Sequence, residues 1–196
     1  MNKRESVLRL MTGQTALVGY GSLLSRSSLE RTLGRTYTGA FLPCTVRGWR
    51  RTWDAAVPNR KFYAEGVEGR IIPRAILYLN VTRNPSTNIN GVIFVVNQEQ
   101  LAAYDQRESI YERVDVRADL DVEVEGGPIY MYVCRPSFCQ AHSQSPADAA
   151  VRVTYLRLIE EGLLDFDAEF RHHYRKSTDI PPAHLIIEDR AESQSA

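Results

Sequence analysis

Apolar residues along the chain come in short blocks separated by polar and glycine-rich stretches, and the spacing inside each block predicts its element. Thr15-Ala16-Leu17-Val18-Gly19-Tyr20 is a short, partly β-branched run that predicts a buried strand. It leads into Gly21-Ser22-Leu23-Leu24, after which Ser27 and Glu30 stand at capping-box spacing and predict the start of a helix that Gly34 stops. Residues 36–54 carry Tyr37, Phe41, Val46, Trp49 and Trp53, the pattern of one long bent strand or two shorter ones. Glycines and prolines in the polar stretch 57–73 predict a long loop, and such loops are often functional. Strands are expected at 75–80 and 91–97, divided by the turn-rich Asn84-Pro85-Ser86-Thr87-Asn88. Leu101, Ala102 and Tyr104 then give 98–108 a helical period over about three turns.

Strand signals return at 111–117, 121–125 and 129–134. Val114-Asp115-Val116 and Val122-Glu123-Val124 alternate strictly, so each strand is expected to be wet on one face. Gly126-Gly127 predicts a hairpin turn between the last two. Ser145-Pro146 predicts a helix N-terminus, with the helix running to Glu161 and Gly162 as its C-cap. A second helix is expected over 165–176. With no repeat and no linker, the order of strands first and helices last predicts a single α+β domain over 15–187. Its sheet would be mixed or mostly antiparallel, with polar termini at 1–14 and 188–196 and a frayed tail.

Composition narrows the function more than the fold. The 196 residues are 43% hydrophobic and 24% charged, which excludes a disordered, fibrous or disulfide-scaffold protein. Lys+Arg and Asp+Glu both number 24, so no net field draws the chain to nucleic acid or to an anionic membrane. A small molecule or a protein is the expected partner. Cys44, Cys134 and Cys139 are an odd set without zinc or redox spacing, read as reduced packing residues of a cytoplasmic protein. The opening MNKRESVLRLMTGQ is charged where a signal peptide is apolar, and no run approaches the roughly 20 residues of a membrane span.

Two segments stand out as candidate chemistry. In Gly19-Tyr20-Gly21-Ser22-Leu23-Leu24, glycines after a strand let successive N–H groups converge on a carboxylate or phosphate, and the following helix adds its positive end. A plain strand-to-helix turn explains the same residues equally well. Leu24 replaces the third glycine of a dinucleotide fingerprint, and the lysine of a Walker A loop is missing. The second segment, 105–111, places Asp105 and Glu108 at a helix C-terminus, where the dipole disfavours ionised carboxylates. The competing explanation is an ion pair with Arg107, Arg113 or Arg117. His172-His173 point in different directions on a helix and make poor joint ligands. Ser22 has no histidine at a recognisable motif spacing for a hydrolase triad. The cationic and aromatic stretch 47–53 reads as a basic strand edge.

Taken together, these segments resemble the γ-glutamylcyclotransferase-like family. The matching residues are Tyr20-Gly21-Ser22-Leu23 after the opening strand, Arg47-Gly48-Trp49-Arg50, and Gly91-Val92-Ile93-Phe94 leading to Leu101, Asp105, Glu108, Tyr111 and Arg113. Tyr155-Leu156-Arg157-Leu158-Ile159-Glu160-Glu161-Gly162-Leu163 is similar to the family's closing helix. The match spans residues 15–175. The resemblance implies a small, mixed, β-barrel-like sheet flanked by helices. It also implies a substrate loop at Tyr20, Gly21, Ser22 and Leu23, with Gly19 at its start and Tyr111 beyond, and an acid/base glutamate at Glu108. The implied substrate is a γ-glutamyl amino acid, peptide or amine, cyclised to 5-oxoproline as in glutathione metabolism, by a monomer or homodimer without metal, nucleotide or covalent intermediate. A binding or regulatory module on the same fold is the alternative. Ser109-Ile110 stands where many relatives have glycines, which bears on substrate choice.

Overall fold

A computed structural model describes residues 7–140 and 145–191. In chain order the elements are β1 (Leu8–Arg9), β2 (Gln14–Gly19), α1 (Arg26–Leu33), β3 (Phe41–Pro58), β4 (Phe62–Gly66), β5 (Gly69–Ile71), β6 (Ala75–Asn97) and α2 (Gln98–Arg107). There follow β7 (Tyr111–Asp115), β8 (Val124–Glu125), β9 (Ile129–Cys134), β10 (Ala149–Arg152), α3 (Val153–Leu163), α4 (Ala168–Lys176), β11 (Ile186–Ile187) and β12 (Arg190–Ala191). The fold is α+β with a mixed, mostly antiparallel main sheet.

Seven strands form that sheet, in the order β11-β10-β6-β2-β9-β7, with β3 also paired to β6. The apolar run predicted to be a buried strand is β2, and it lies inside the sheet. It is antiparallel to β6, with Gly19 opposite Val92, and parallel to β9, with Val18 opposite Met131. Thr15 to Tyr20 are all buried, as a strand covered on both faces requires. The loop at its C-terminal end is therefore anchored by a strand that is buried from Thr15 to Gly19.

The long ribbon of β3 and β6 departs from expectation in an instructive way. Residues 75–97 form one strand, although 84–88 reads as a turn. Arg47 pairs with Asn88 and Trp49 with Arg83, so residues 84–87 bulge out opposite Gly48 while the strand continues beyond them. The turn chemistry is real but local: the Asn84 side chain accepts from Ser86 N–H at 3.1 Å, and the Thr87 hydroxyl donates to the Trp49 carbonyl at 2.9 Å. The expected loop 57–73 is largely the β4–β5 hairpin.

Other local signals yield to long-range pairing. Ser145 opens a turn rather than a helix, and Ala149 and Ala150 pair parallel with Ala75 and Ile76. The helix starts only at Val153 and runs through Gly162, which is no C-cap: a Cβ there would meet Ser25 N at 2.8 Å. That glycine lets α3 lie against the turn following β2. Gly126-Gly127 joins no hairpin, because β8 pairs parallel with β1 and the glycine carbonyls accept from Arg117. Helix α1 is capped by Ser25 rather than Ser27, and Glu30 accepts from Tyr37 N–H at 2.9 Å. Gly34 stops it as expected. Beyond Ile187 the chain returns to pair β12 with β4. Cys44 and Cys134 are buried, whereas Cys139 is exposed and is not a packing residue.

Candidate active site

The backbone after Gly19 turns out of β2 into a single 3₁₀ turn, Ser22–Leu24. Leu24 N–H donates to Gly21 O at 2.9 Å and Ser25 N–H to Ser22 O at 3.2 Å, so the turn satisfies its own later donors. The N–H groups of Ser22 and Leu23 stand at its start, where helical geometry provides no partner. Glu108 caps the C-terminus of α2. Its N–H donates to Tyr104 O at 2.8 Å, and its own carbonyl accepts from Tyr111 N–H at 2.8 Å, which turns the chain into β7.

These two segments meet. A cavity of about 580 Å³ is lined by Ser22, Glu108 and Tyr111 together with Ser28 and Arg31 of α1, Arg107, Tyr78, and Tyr155 and Leu158 of α3. Adjoining it, a recess of about 30 Å³ lies among Tyr20, Gly21, Ser22, Leu23, Glu108, Tyr111, Tyr132 and Tyr155. The larger space is in the usual range for small-molecule sites. Six of the seven residues expected at the site line the recess, and Ser22, Glu108 and Tyr111 line the larger cavity as well. Gly19 lines neither part; a Cβ on it would sit 2.8 Å from Leu23 Cβ, so its role is the close approach of strand and turn.

Glu108 retains only 15% side-chain exposure. Burial lifts its carboxyl above the ordinary value of 4.5, while the Arg107 guanidinium, 3.0 Å from Oε1, opposes the shift. The ion pair expected for this carboxylate is present, and the same side chain lines the cavity. Arg107 is itself held by Ser22 Oγ at 2.9 Å and by Ser28 Oγ and O at 3.0 Å, which ties α2 to the 3₁₀ turn. Asp105 lines neither hollow. It accepts from the Tyr132 hydroxyl at 2.8 Å and pairs with Arg113 at 3.3 Å. The phenols are fixed donors: Tyr20 to Tyr132 O at 2.8 Å and Tyr111 to Leu79 O at 3.0 Å, and burial raises both well above the usual tyrosine range. Among the described residues no group of three His, Cys, Asp or Glu is placed to hold a metal ion. Among them, too, no helix is long and apolar enough to cross a membrane.

No family model matches the chain, and no curated protein matches it by sequence. Solved structures do. A protein described as "Gamma-glutamyl cyclotransferase" superposes with a TM-score of 0.58 at 12% identity, covering 89% of this chain and 94% of that one. The chain adopts the γ-glutamylcyclotransferase-like fold. An uncharacterized Homo sapiens protein shares it with a TM-score of 0.59 at 12% identity, over 90% of this chain and 95% of its own. YkqA from Bacillus subtilis matches at 0.57 and 13% identity, over 86% of this chain and 57% of its own.

Within this γ-glutamylcyclotransferase-like fold, sequence reasoning missed Arg51. The stretch 47–53 reads as a basic strand edge, yet Arg51 is fully buried. The signal was present: strand period places Arg51 on the face of Trp49 and Trp53, both buried. The cavity wall formed by Tyr155 and Leu158 was also missed, and no local spacing relates these residues to Glu108.

The raised carboxyl has a consequence for stability. A folded-state value above the unfolded one means that the folded protein holds the Glu108 proton more tightly. That contribution is fully present below the unfolded value near 4.5 and is lost as pH rises through the folded one. Glu108→Gln abolishes this titration, so its stability relative to the parent should improve as pH rises from 4 toward 7, an effect read by thermal melts across that range. A constant difference in Tm would show that Glu108 is not buried as described.

Proposed function

We propose that this protein is a γ-glutamyl cyclotransferase that releases 5-oxoproline from a γ-glutamyl amino acid, peptide or amine. The observation that carries the reading is the buried Glu108 carboxyl in the same hollow as the 20–23 turn. In this reaction the neutral substrate α-amine attacks its own γ-carbonyl, and a five-membered lactam closes as that nitrogen gives up one proton. The γ-amide nitrogen takes up one proton as its bond to carbon breaks and leaves as a neutral amine. Because the attack is intramolecular, effective molarities on the order of 10⁵–10⁸ M are within reach once the substrate is folded back on itself. The protein has to hold that conformation and move one proton. An α-amine titrates at about 7.7–8.0, and burial shifts the Glu108 carboxyl upward, in the direction that suits a general base, which then returns the proton to the leaving nitrogen. The free N–H groups at the start of the 3₁₀ turn suit the substrate carboxylate or the developing oxyanion. The leaving group extends into the larger hollow, whose wall carries Arg31 and Arg107.

The test is a panel of γ-glutamyl amino acids, dipeptides and alkylamines, assayed for 5-oxoproline alongside calorimetric binding. Release of 5-oxoproline is expected, with the carboxylate-bearing leaving groups preferred because Arg31 faces them. Binding without turnover across the panel would replace the enzyme with a ligand-binding module on the same fold.

A further inference from the structure

Among the described residues Arg51 is the largest fully buried side chain, and it has no carboxylate partner. Desolvation alone makes such a cation expensive, and it lowers the guanidinium to about 10. Its five donors are nevertheless spent on neutral acceptors with care. Nε donates to Tyr20 O at 3.0 Å, one terminal nitrogen to Ser177 Oγ at 2.9 Å and Thr178 Oγ1 at 3.4 Å, and the other to Asn90 O and to Asn90 Oδ1 at 3.2 Å. The guanidinium carbon lies 3.8 Å from the centre of the Tyr174 ring. The Tyr174 hydroxyl donates at 3.1 Å to the same Tyr20 carbonyl.

Two donors, one of them cationic, thus converge on a single oxygen. That oxygen belongs to the peptide whose N–H is Gly21, the residue that opens the turn lining the recess with Glu108. A peptide group is conjugated, so a hydrogen bond to its oxygen draws charge through the amide and makes its N–H a stronger donor. Fixing the oxygen from two directions also fixes the peptide plane, and with it the direction of that N–H. An ordinary buried ion pair would stabilise the interior more simply. A cation left without a carboxylate keeps its positive potential behind the turn, where a bound anion benefits from it.

We propose that Arg51 is a positioning residue for anion capture: from behind the Tyr20–Gly21 peptide it orients and polarises the Gly21 N–H toward an anionic group of the bound ligand. In its enzymatic form this rests on the cyclotransferase reading, with the substrate α-carboxylate, which 5-oxoproline retains, as the anion. Arg51 touches no substrate and acts through the backbone alone.

The experiment compares wild type, Arg51→Met, Arg51→Lys and Tyr174→Phe in three measurements. These are steady-state 5-oxoproline release, titration with 5-oxoproline, and the amide nitrogen resonance of Gly21 in the free protein. Loss of one charge-assisted hydrogen bond corresponds to about a ten- to hundredfold change in binding. Arg51→Met is expected to raise KM and weaken 5-oxoproline by that factor, to leave kcat nearly unchanged, and to move the Gly21 nitrogen upfield. Arg51→Lys should restore part of the binding. A merely structural arginine would lower Tm without this KM-against-kcat split. If the Arg51 variants do not fold, Tyr174→Phe decides, since it removes one donor to the same oxygen and keeps the ring. A shifted Gly21 resonance with weaker binding supports the proposal, and an unmoved resonance or unchanged affinity in a folded variant overturns it. Wild-type protein that binds 5-oxoproline without turning over any γ-glutamyl compound would refute the cyclotransferase reading alone, because the resonance and the titration still judge Arg51.

Discussion

Glu108→Gln is expected to cut 5-oxoproline formation by about 10²–10⁴-fold, the usual contribution of a general acid/base, while substrate binding stays close to that of the parent. Glutamine keeps the side chain's length and its ability to accept from Arg107, but it has no titratable proton to take up and return. The magnitude follows from position. Glu108 is three-quarters or more withdrawn from solvent, is raised by burial, and borders both hollows, so no other carboxylate among the residues lining them stands in for it. Asp105, one helical turn earlier, provides the control. It is engaged by Tyr132 and Arg113 and is considerably more exposed, so Asp105→Asn should cost far less activity. Equal losses from both substitutions would mean that α2 merely needs its negative charge. If binding disappeared along with turnover in Glu108→Gln, the carboxylate would be holding the substrate amine rather than moving a proton.

Gly19→Ala should be the more damaging change to the protein as a whole. The added methyl would meet Leu23 Cβ at 2.8 Å and Leu23 O at 3.0 Å, and the second of these is backbone that no rotamer change can move aside. Overpacking of this kind costs about 1–3 kcal/mol, or roughly 2–12 °C in Tm for a chain of this size. Relief comes only by displacing the 22–24 turn from β2, and a shift of about 1 Å at a substrate-positioning element costs on the order of 10²-fold in rate. Gly34→Ala is the reference. It strains a left-handed helix cap with φ of 64° and open space around it, so it should lower Tm without changing kcat/KM of the folded fraction. Wild-type kcat/KM in Gly19→Ala would show that the turn does not position the substrate.

Much of this architecture is legible in the residues because local and long-range preferences agree there. The buried run 15–20, the helix following Asn97 with its Asn97–Gln100 capping box, and the strand 129–134 all fall where their patterns place them. The departures share a cause. At 84–87 and at 145–152 the local chemistry specifies a turn or a helix start, but pairing with a distant strand decides the outcome. Sheet register is not encoded in any one segment. The same holds for the site. Tyr20–Leu23 and Glu108 are prominent because glycines and a misplaced acid are locally unusual. Tyr155 and Leu158 look like any helix core, and they become cavity wall only because Gly162 lets α3 approach the turn. Arg51 lies between these cases: alternation with Trp49 and Trp53 is a signal of burial that the basic-edge reading passes over, and its partners come from residues 20, 90, 177 and 178.

The central claim, cyclisation by the substrate's own amine, is tested most directly by running the reaction in water enriched in heavy oxygen and weighing the products. Intramolecular attack takes no oxygen from solvent, so the expected result is unlabelled 5-oxoproline and free amine in equal amounts, lost together in Glu108→Gln. Glutamate carrying one heavy oxygen would mean that water, not the α-amine, attacks the γ-carbonyl, and would contradict the mechanism proposed for this site.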